Sequence, residues 1–458
     1  MSDTFTLINP TTGQAFREVP RATVHEVDEV VARAVVAQRG WAAIAPVARA
    51  DALRRFARVV VEHVEELAQL EVLNSGHPIE SARWEASHVA QVLNFYAGSP
   101  ERLSGQQIPV SGGLDVTFHE PYGVVGVIVP WNFPMTIASW AFAPALAAGN
   151  AVVLKPAELT PLTAVRLGEL AVEAGLPEGL FAVITGSGSV VGERFVTHPD
   201  VRSVVFTGST EVGISVAAGC ARGLKPVTLE LGGKSANIVF DDADLEKAAA
   251  AAPGSVFDNA GQDCCARSRI LVQRSVYDRF LELLEPAVAA WQVGDPALES
   301  TQMGPLISSA HRETVGSFLD GADVAFRGSA PASEGPLGDG FWFAPTVVLA
   351  QPDDRIAREE VFGPVVAVLP FDDEADGIRL ANDTAYGLAG SLWTENLGRA
   401  VRVSRAVKSG VLSVNSHSSV RYWTPFGGMK ASGLGRELGP DAAEHFTETK
   451  NVFFATDA

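Results

Sequence analysis

The strongest constraint on this chain is an alternation that begins at Gly123. Short apolar runs rich in β-branched residues take turns with runs of helical period: GVVGVIVP, IASWAFAPALAAG, NAVVLKP, PLTAVRLGELAVEAG, GLFAVITG, GERFVTHP, VRSVVFTG, EVGISVAAGCARG and PVTLELGG. Strands fed into one another through helices pair in parallel, and their unbroken apolarity calls for a helix layer on each face. In such sheets ligands gather beyond the carboxyl ends of the strands. A second alternation, SVYDRFLELLEPAVAAW, VVAVLPFDD, DGIRLANDTAYG, GRAVRVSRAVKSG and VLSVN, predicts a second α/β unit. Upstream, DEVVARAVVAQRGWAA and ARADALRRFARVVVEHVEELAQLEVLNSG space apolar residues as amphipathic helices do. RGSAPASEGPLGDG reads as an exposed loop. At 458 residues the chain is too long for one hydrophobic core, which agrees with two or three domains.

A formal net charge of −19 argues against a nucleic-acid binder, which must first neutralise phosphates. No apolar run approaches the roughly 20 residues that cross a bilayer. The start, MSDTFTLINPTTGQ, has neither the basic residues nor the apolar block of a secretion signal. A soluble, cytoplasmic protein is expected. Cys220, Cys264 and Cys265 are too few for a disulfide framework. Cys220, alone in an Ala/Gly-rich segment, reads as buried filling. FDNAGQDCCARSR holds no histidine and no second cysteine pair, so no metal is expected there. Nucleophile and packing remain the two readings of Cys264 and Cys265.

TGSGSVVG, Thr185 to Gly192, follows a strand, but its last glycine falls one residue too far for G-x-G-x-x-G. VVFTGSTEVG makes a better phosphate site. There a strand ending at Phe206 and Thr207 turns through Gly208 and Ser209 into a helix, whose free N–H groups and positive dipole end suit a pyrophosphate. Taken alone, the same residues also form an ordinary helix cap.

Seven motifs then occur in order: PWNFP (Pro130–Pro134), KPAE (Lys155–Glu158), FTGS, LELGGKS (Leu229–Ser235), GQDC, EEVFGPV (Glu359–Val365) and PFGGMKASGLGRE (Pro425–Glu437). With these the chain resembles the aldehyde dehydrogenase superfamily over nearly its whole length. The resemblance implies a Rossmann-type NAD-binding domain (1–103 and 123–230), a second α/β catalytic domain (231–436) and a small β oligomerisation arm (104–122 and 437–458).

It also implies a chemistry. Hydride leaves an aldehyde carbon more readily once a thiolate has added to it, so one cysteine is needed as nucleophile. By resemblance that is Cys264, with Cys265 turned aside as a pocket wall. The oxyanion would be held by the Asn132 side chain and the Cys264 N–H. Glu230, in an apolar strand where burial raises a carboxyl, matches the base that activates water on the thioester. Glu437 matches a proton relay, although its own sequence setting reads equally as an exposed helical residue. On the cofactor side, Trp131, Lys155, Glu158, Gly208, Ser209, Glu360 and Phe362 match family positions. A carboxylate at Glu158 repels a 2′-phosphate, so NAD is expected, with NADP the weaker alternative.

The resemblance places Phe133, Trp140, Asp263, Cys265, Val420, Trp423 and Phe426 around the substrate. Asp263 is unusual beside the nucleophile; it favours a cationic tail, with aromatics adding cation–π attraction. GQDC resembles the bacterial aminobutyraldehyde branch, and 4-aminobutyraldehyde is the expected type of substrate. Arg421 instead suits a carboxylate tail, as in semialdehyde or γ-glutamyl-aminobutyraldehyde enzymes. Acyl transfer without redox, or a structural role, is the reading of another class; the survival of nucleophile, donor, base and nucleotide residues together speaks against it. Glu230 speaks against a CoA-acylating relative. SGQQIPVSGGLDVTFHEP and HFTETKNVFFAT read as the strands of the arm, which implies a homodimer or homotetramer. The chain starts close to INPTTGQ, without the longer leading arm of some relatives, and this leaves the two states open.

Overall fold

Every residue of Val124–Ile128 and Ala151–Lys155 is buried, so neither strand has a solvent face and both belong inside a covered sheet. The computed structural model of the protein, which describes residues 3–332, 335, 337–418 and 420–456, places them there. Ser333, Glu334 and Pro336 of the stretch read as a loop lie outside the described residues, as do Met1, Ser2, Ser419, Asp457 and Ala458.

The first sheet has six strands in the order Gly433–Leu434, Val227–Glu230, Val201–Thr207, Val124–Ile128, Ala151–Lys155, Phe181–Val183. All pair in parallel except Gly433–Leu434. From Val124–Ile128 the chain runs outward to one edge and then returns to the other side with Val201–Thr207. The direction of winding therefore reverses between these two strands, which opens a crevice at their carboxyl ends. Ile128 stands there, opposite Lys155 on one side and Phe206 on the other.

The second sheet has seven strands: Asp323–Arg327, Thr346–Leu349, Val365–Phe371, Arg269–Gln273, Ala236–Val239, Ala389–Trp393 and Val411–Val414. Only Asp323–Arg327 is antiparallel. Each sheet carries its own core, with Tyr96, Phe142 and Phe195 in the first and Phe240, Phe280 and Phe371 in the second. The expected doubly covered α/β architecture is present. One strand crosses the boundary expected at residue 231, since Gly433–Leu434 returns from the far end of the second unit to pair with Leu229 and Glu230.

The strand Gly113–Pro121 pairs with Thr447–Ala455 along nine residue pairs and with Gln107–Ile108 on its other edge. This small sheet leaves Leu114, Phe118, Phe453 and Phe454 exposed. The amphipathic stretch after Ala45 is two helices, Pro46–Glu62 and Val64–Ser75, broken at His63, whose N–H still bonds back to the Val60 carbonyl. Among the described residues no helix is long and apolar enough to cross a membrane.

A buried charge cluster ties these helices to the first sheet's helices. Glu71 on Val64–Ser75, Glu85 on Ile79–Tyr96 and His77 between them are all at most 2% exposed. His77 Nδ1 lies 2.5 Å from Glu85 Oε1, Thr136 donates to Glu85 at 3.2 Å and Thr163 donates to Glu71 at 2.9 Å. Burial pulls the His77 imidazole down, but the facing carboxylates of Glu85 and Glu71 outweigh it and lift its pKa to about 9. In the unfolded chain the value returns to 6.5. The stabilisation from the charged imidazole is therefore complete below pH 6.5 and disappears as pH rises through 9. The gap in stability between the protein and His77→Gln should be widest near pH 6, on the order of 1–3 kcal/mol, and close above about pH 9.5. Melting curves across this range measure it, and a gap independent of pH would reduce His77 to a packing role.

Candidate active site

The helix Leu245–Phe257 ends in a left-handed run, with Asn259 at φ 48°, Ala260 at φ 54° and Gly261 at φ 70°. Asn and Gly enter this region readily, whereas Ala does so at a cost of roughly 1–2 kcal/mol. The run reverses the chain and delivers Cys264 to the wall of a cavity. Its shape is held by side chains. Asn259 Nδ2 donates to the Asn132 carbonyl at 2.8 Å, and Asn132 Nδ2 donates to the Gln262 carbonyl at 2.8 Å. Gln262 Nε2 donates to the Asn259 carbonyl at 3.1 Å, while Gln262 Oε1 accepts from the Ile307 N–H at 2.9 Å. Asn132 sits in the loop between Val124–Ile128 and the helix Pro134–Ala147. Loops from both sheets thus meet at the cysteine. Gln262 and Asn259 were not singled out from the sequence, where only the helix-ending Asn-Ala-Gly hinted at a left-handed turn.

Cys264 is half-buried and Cys265 buried. The hydrogen bond with Cys265, burial and the negative charge of Asp263 all push the Cys264 thiol well above its usual range. Gly233 is required beside it, because a Cβ there would lie 2.3 Å from the Cys264 carbonyl oxygen. Glu230 ends its strand 3% exposed. Among the described residues neither of its carboxylate oxygens makes a full hydrogen bond, although the Gly428 backbone N–H approaches and opposes the rise in its pKa. Burial and then repulsion from Glu437 raise the Glu230 carboxyl well above the ordinary range. Glu437 is itself buried, and burial lifts it to about 8. The helical, exposed setting read for Glu437 is corrected: it exchanges two backbone hydrogen bonds of 2.8 Å with Phe426 as a β-bridge.

At the switch point Ser209 caps the helix Thr210–Arg222, accepting from the Val212 N–H at 3.4 Å. The neighbouring Thr207 hydroxyl is buried and has no partner among the described residues. A cleft of about 970 Å³ opens here, lined by Ile128, Gly188, Phe206, Val212 and Val216 among others. TGSGSVVG, discounted as a fingerprint, forms its other wall as a short π-helical turn at Gly188–Gly192. Lys155 is buried and bonds the Pro156 carbonyl, and burial lowers its ammonium. Glu158 pairs with Arg21 at 2.8 Å. On the opposite side Glu360 Oε1 accepts from the Gly233 N–H at 2.8 Å, and burial raises this carboxyl to about 7. Phe362 has φ 56°, its carbonyl accepting from His311 Nε2 at 2.7 Å. The Trp131 ring packs edge-on against both Phe362 and His311. His311 carries no motif, and the sequence reading missed it.

The cavity beside Cys264 measures about 290 Å³. Of the residues expected around the substrate, Phe133, Trp140, Asp263, Cys265, Val420 and Phe426 line it. Trp84, Thr136, Asp258, Arg267 and His417 line it too and were not foreseen; Trp84 comes from the separate helix Ile79–Tyr96, and the others lie in the segments that carry the foreseen residues. Arg421 and Trp423 are not brought to it. The chain turns there, the Thr424 N–H bonding the Arg421 carbonyl, and both side chains stay exposed. Among the described residues Arg421 donates to the Ser418 carbonyl alone, at 3.5 Å. Asp263 Oδ1 accepts from the Cys265 N–H at 2.9 Å; burial raises its carboxyl, while that bond and Arg267 oppose the rise. Burial, then Asp263, lifts Asp258 to about 6. Asp258 is densely surrounded by protein yet open to cavity water, which softens the effect of burial. A second cavity of about 380 Å³ shares Trp84, Phe133 and Asp258 with the first.

The sequence profile described as the Aldehyde dehydrogenase family matches residues 1–452. The chain belongs to the aldehyde dehydrogenase family. Among curated relatives it is 43% identical to a betaine aldehyde dehydrogenase of Agrobacterium fabrum and 42% identical to a phenylacetaldehyde dehydrogenase of Pseudomonas fluorescens, in each case over 99% of this chain and 93% of the relative. Among solved structures, PnpE in complex with nicotinamide adenine dinucleotide superimposes with a TM-score of 0.97 at 40% identity, covering 100% of this chain and 95% of the other. Betaine aldehyde dehydrogenase from Staphylococcus aureus in complex with NAD+ gives 0.96 at 38%, covering 100% and 92%. The superfamily expected from the motifs is therefore established, whereas these relatives are named for betaine aldehyde and phenylacetaldehyde rather than for aminobutyraldehyde.

A Cβ on residue 261 of this aldehyde dehydrogenase would stand 2.1 Å from the Gly363 carbonyl oxygen, at a φ that side chains avoid. Gly261→Ala should therefore displace the nucleophile loop, lowering kcat by about 100-fold, the scale of an ångström's misplacement. Unfolding should become easier by about 1–3 kcal/mol. Steady-state rates and melting curves test both, and a variant like the parent in each would remove the close approach as a constraint on the site.

Proposed function

We propose that the protein oxidises an aldehyde to a carboxylic acid with NAD, through a thiohemiacetal and a thioester on Cys264, and that its preferred aldehydes carry an amino tail, as 4-aminobutyraldehyde does. The observation that carries the second part is the cavity wall. Asp263 and Asp258 stand beside Cys264, while Arg421 lies outside. The arginine expected to select a semialdehyde or γ-glutamyl-aminobutyraldehyde is thus away from the cavity, and the one arginine among its lining residues, Arg267, is committed to the Cys265, Gly390 and His417 carbonyls.

The cleft suits a dinucleotide. It combines an apolar floor, a helix start with open N–H groups and, at the switch point, the Thr207 hydroxyl, unpartnered among the described residues. Trp131, Lys155, Glu158, Gly208, Ser209, Glu360 and Phe362 are the residues that would hold NAD, with NADP the weaker alternative. When bound, NAD supplies the acceptor for the hydride.

Addition of Cys264, as the thiolate, to the carbonyl carbon makes the C–S bond and puts negative charge on the oxygen. Asn132 has one amide hydrogen committed to the Gln262 carbonyl and a second left for that oxygen, beside the Cys264 N–H. The charge collapses as hydride leaves the same carbon, and a thioester remains. Glu230, buried and without a full hydrogen bond among the described residues, takes a proton from water. The hydroxide equivalent adds, the C–S bond breaks, the acid departs and the thiolate is restored. Glu437, buried against Glu230, passes the proton outward. A non-redox acyl transferase would need neither Glu360 nor the crevice.

Residues 1–103 and 123–230 serve as the NAD-binding domain, 231–436 as the catalytic domain, and 104–122 with 437–458 as the oligomerisation arm. The exposed Leu114, Phe118, Phe453 and Phe454 support a homodimer or homotetramer through that arm. Free cysteines in a reactive pair suit a reducing cytoplasm.

Glu230→Gln should give a rapid burst of NADH approaching one per active site and then slow turnover, since the thioester forms and waits for water. Cys264→Ala should give no burst. A parent-like steady rate in Glu230→Gln, followed by stopped-flow absorbance, would take Glu230 out of the mechanism.

Aldehydes of matched length with ammonium, neutral or carboxylate tails test the substrate class. The ammonium tail should win over the neutral by about 10- to 100-fold in kcat/KM, the scale of one charged contact. Asp263→Asn should remove most of that margin while sparing neutral aldehydes. Asp258 ionises as pH rises through about 6, so the margin should grow between pH 5 and 7. If the carboxylate tail wins, the amino-aldehyde reading is wrong.

A further inference from the structure

Arg21, a cation outside the family motifs, pairs with the carboxylate of Glu158. The amino-terminal hairpin, Thr4–Asn9 with Gln14–Pro20, ends against the cleft: the Ala22 N–H bonds the Thr185 carbonyl and the Thr185 hydroxyl donates to the Pro20 carbonyl. Thr185 directly precedes the segment that supplies Gly188 to the cleft wall. Between these anchors Arg21 reaches across to Glu158, Nε donating to Oε1 at 2.8 Å. The same guanidinium lies over the Phe5 ring, and its Nη1 donates to the Thr4 carbonyl at 3.0 Å and to Asp3 Oδ1 at 3.4 Å. Nη2 has no partner among the described residues.

Glu158 is the carboxylate that the NAD reading places at the adenosine ribose. An unpaired carboxylate there excludes a 2′-phosphate by like-charge repulsion. Here it is paired with Arg21, which reduces that repulsion, Asp3 sharing the same guanidinium. The pairing group is a planar, always-charged fork with donors to spare, the geometry best suited to a phosphate dianion. Lys155, opposite Ile128 in the sheet, adds a second cation at the same strand ends.

We propose that Arg21 is a specificity-determining residue that admits a 2′-phosphorylated nicotinamide dinucleotide, so that the cleft binds both the phosphorylated and the unphosphorylated form. The proposal rests on the placement of the cofactor described above. It differs from a purely structural role for Arg21, which would affect both dinucleotides alike.

Dissociation constants for NADP+ and NAD+, measured by titration calorimetry on the full chain without aldehyde, decide between them. The parent should bind NADP+ saturably. Arg21→Ala should raise the ratio of the NADP+ constant to the NAD+ constant by about 10-fold or more, the loss of one charge-assisted contact. Arg21→Lys, which keeps the charge and the hairpin but not the fork, should fall between them, so that a loosened hairpin in the alanine variant is recognised. Titration with 2′-AMP against 5′-AMP should follow the same order. A ratio unchanged within about twofold in Arg21→Ala, or no saturable NADP+ binding by a parent that binds NAD+, overturns the proposal. Failure of the parent to bind either dinucleotide overturns the cofactor placement itself, and the proposal with it.

Discussion

Two reciprocal hydrogen bonds, from Asn259 to the Asn132 carbonyl and from Asn132 to the Gln262 carbonyl, join two sheets that otherwise carry separate cores. Each contributes only about 1 kcal/mol net. Their importance is geometric, because they close a ring between the loop that ends a strand of the first sheet and the loop that bears the nucleophile. The left-handed residues Asn259, Ala260 and Gly261 would not persist alone, since Ala260 gains nothing locally from its φ of 54°. The Asn132, Gln262 and Ile307 contacts offset that strain and leave Cys264 in one place relative to Asn132. Glycine does the rest where two backbones must touch, at Gly233 against Cys264 and at Gly261 against Gly363.

The same packing sets the electrostatics. Glu230, Glu437 and Glu360 have raised carboxyls, and in each case burial is the first cause. For Glu230 the neighbouring Glu437 adds repulsion, so the two buried acids disfavour being charged together. Such groups exchange protons near neutral pH, which ordinary surface carboxylates cannot do. The charges behind the net −19 are mostly elsewhere, in exposed ion pairs such as Arg83 with Glu65, Glu80 and Glu299. Those pairs are screened and add little to stability individually.

Legibility in the sequence follows the range of the interaction. Period and apolarity are local, so the strands from Val124 to Glu230 and the helices between them are readable without coordinates, as is the cap at Ser209. The break at His63 is not, because the flanking segments share one helical period and no Gly or Pro marks the interruption. Glu437 was misplaced for the same reason: its bridge to Phe426 spans a turn that no period announces. Cavity walls are the least legible part. Phe133 and Asp263 neighbour motifs, but Trp84, Asp258 and His417 come from a helix, a helix end and a loop that meet only in three dimensions. Arg421 shows the converse, a residue close in sequence to lining positions that the backbone turns away.

That geometry also bears on how an amino-aldehyde would be selected. Trp84, Phe133, Trp140 and Phe426 form an aromatic wall. Such a wall welcomes a phenyl ring by area and an ammonium by cation–π attraction, each worth a few kcal/mol at most, so it does not separate the two. Separation must come from charge. A carboxylate about 4 Å from an ammonium gains about 1 kcal/mol in bulk water and about 4 kcal/mol at the lower effective dielectric of a protein surface cleft. Asp263, which lines the cavity, is held by the Cys265 N–H on its Oδ1, and that bond fixes its orientation. Asp258, shared by both cavities, extends the negative wall from the nucleophile toward the outer chamber. An amino tail lying along that wall keeps its charge opposite a carboxylate on the way in and at the reacting position, whereas a phenyl tail has only the rings.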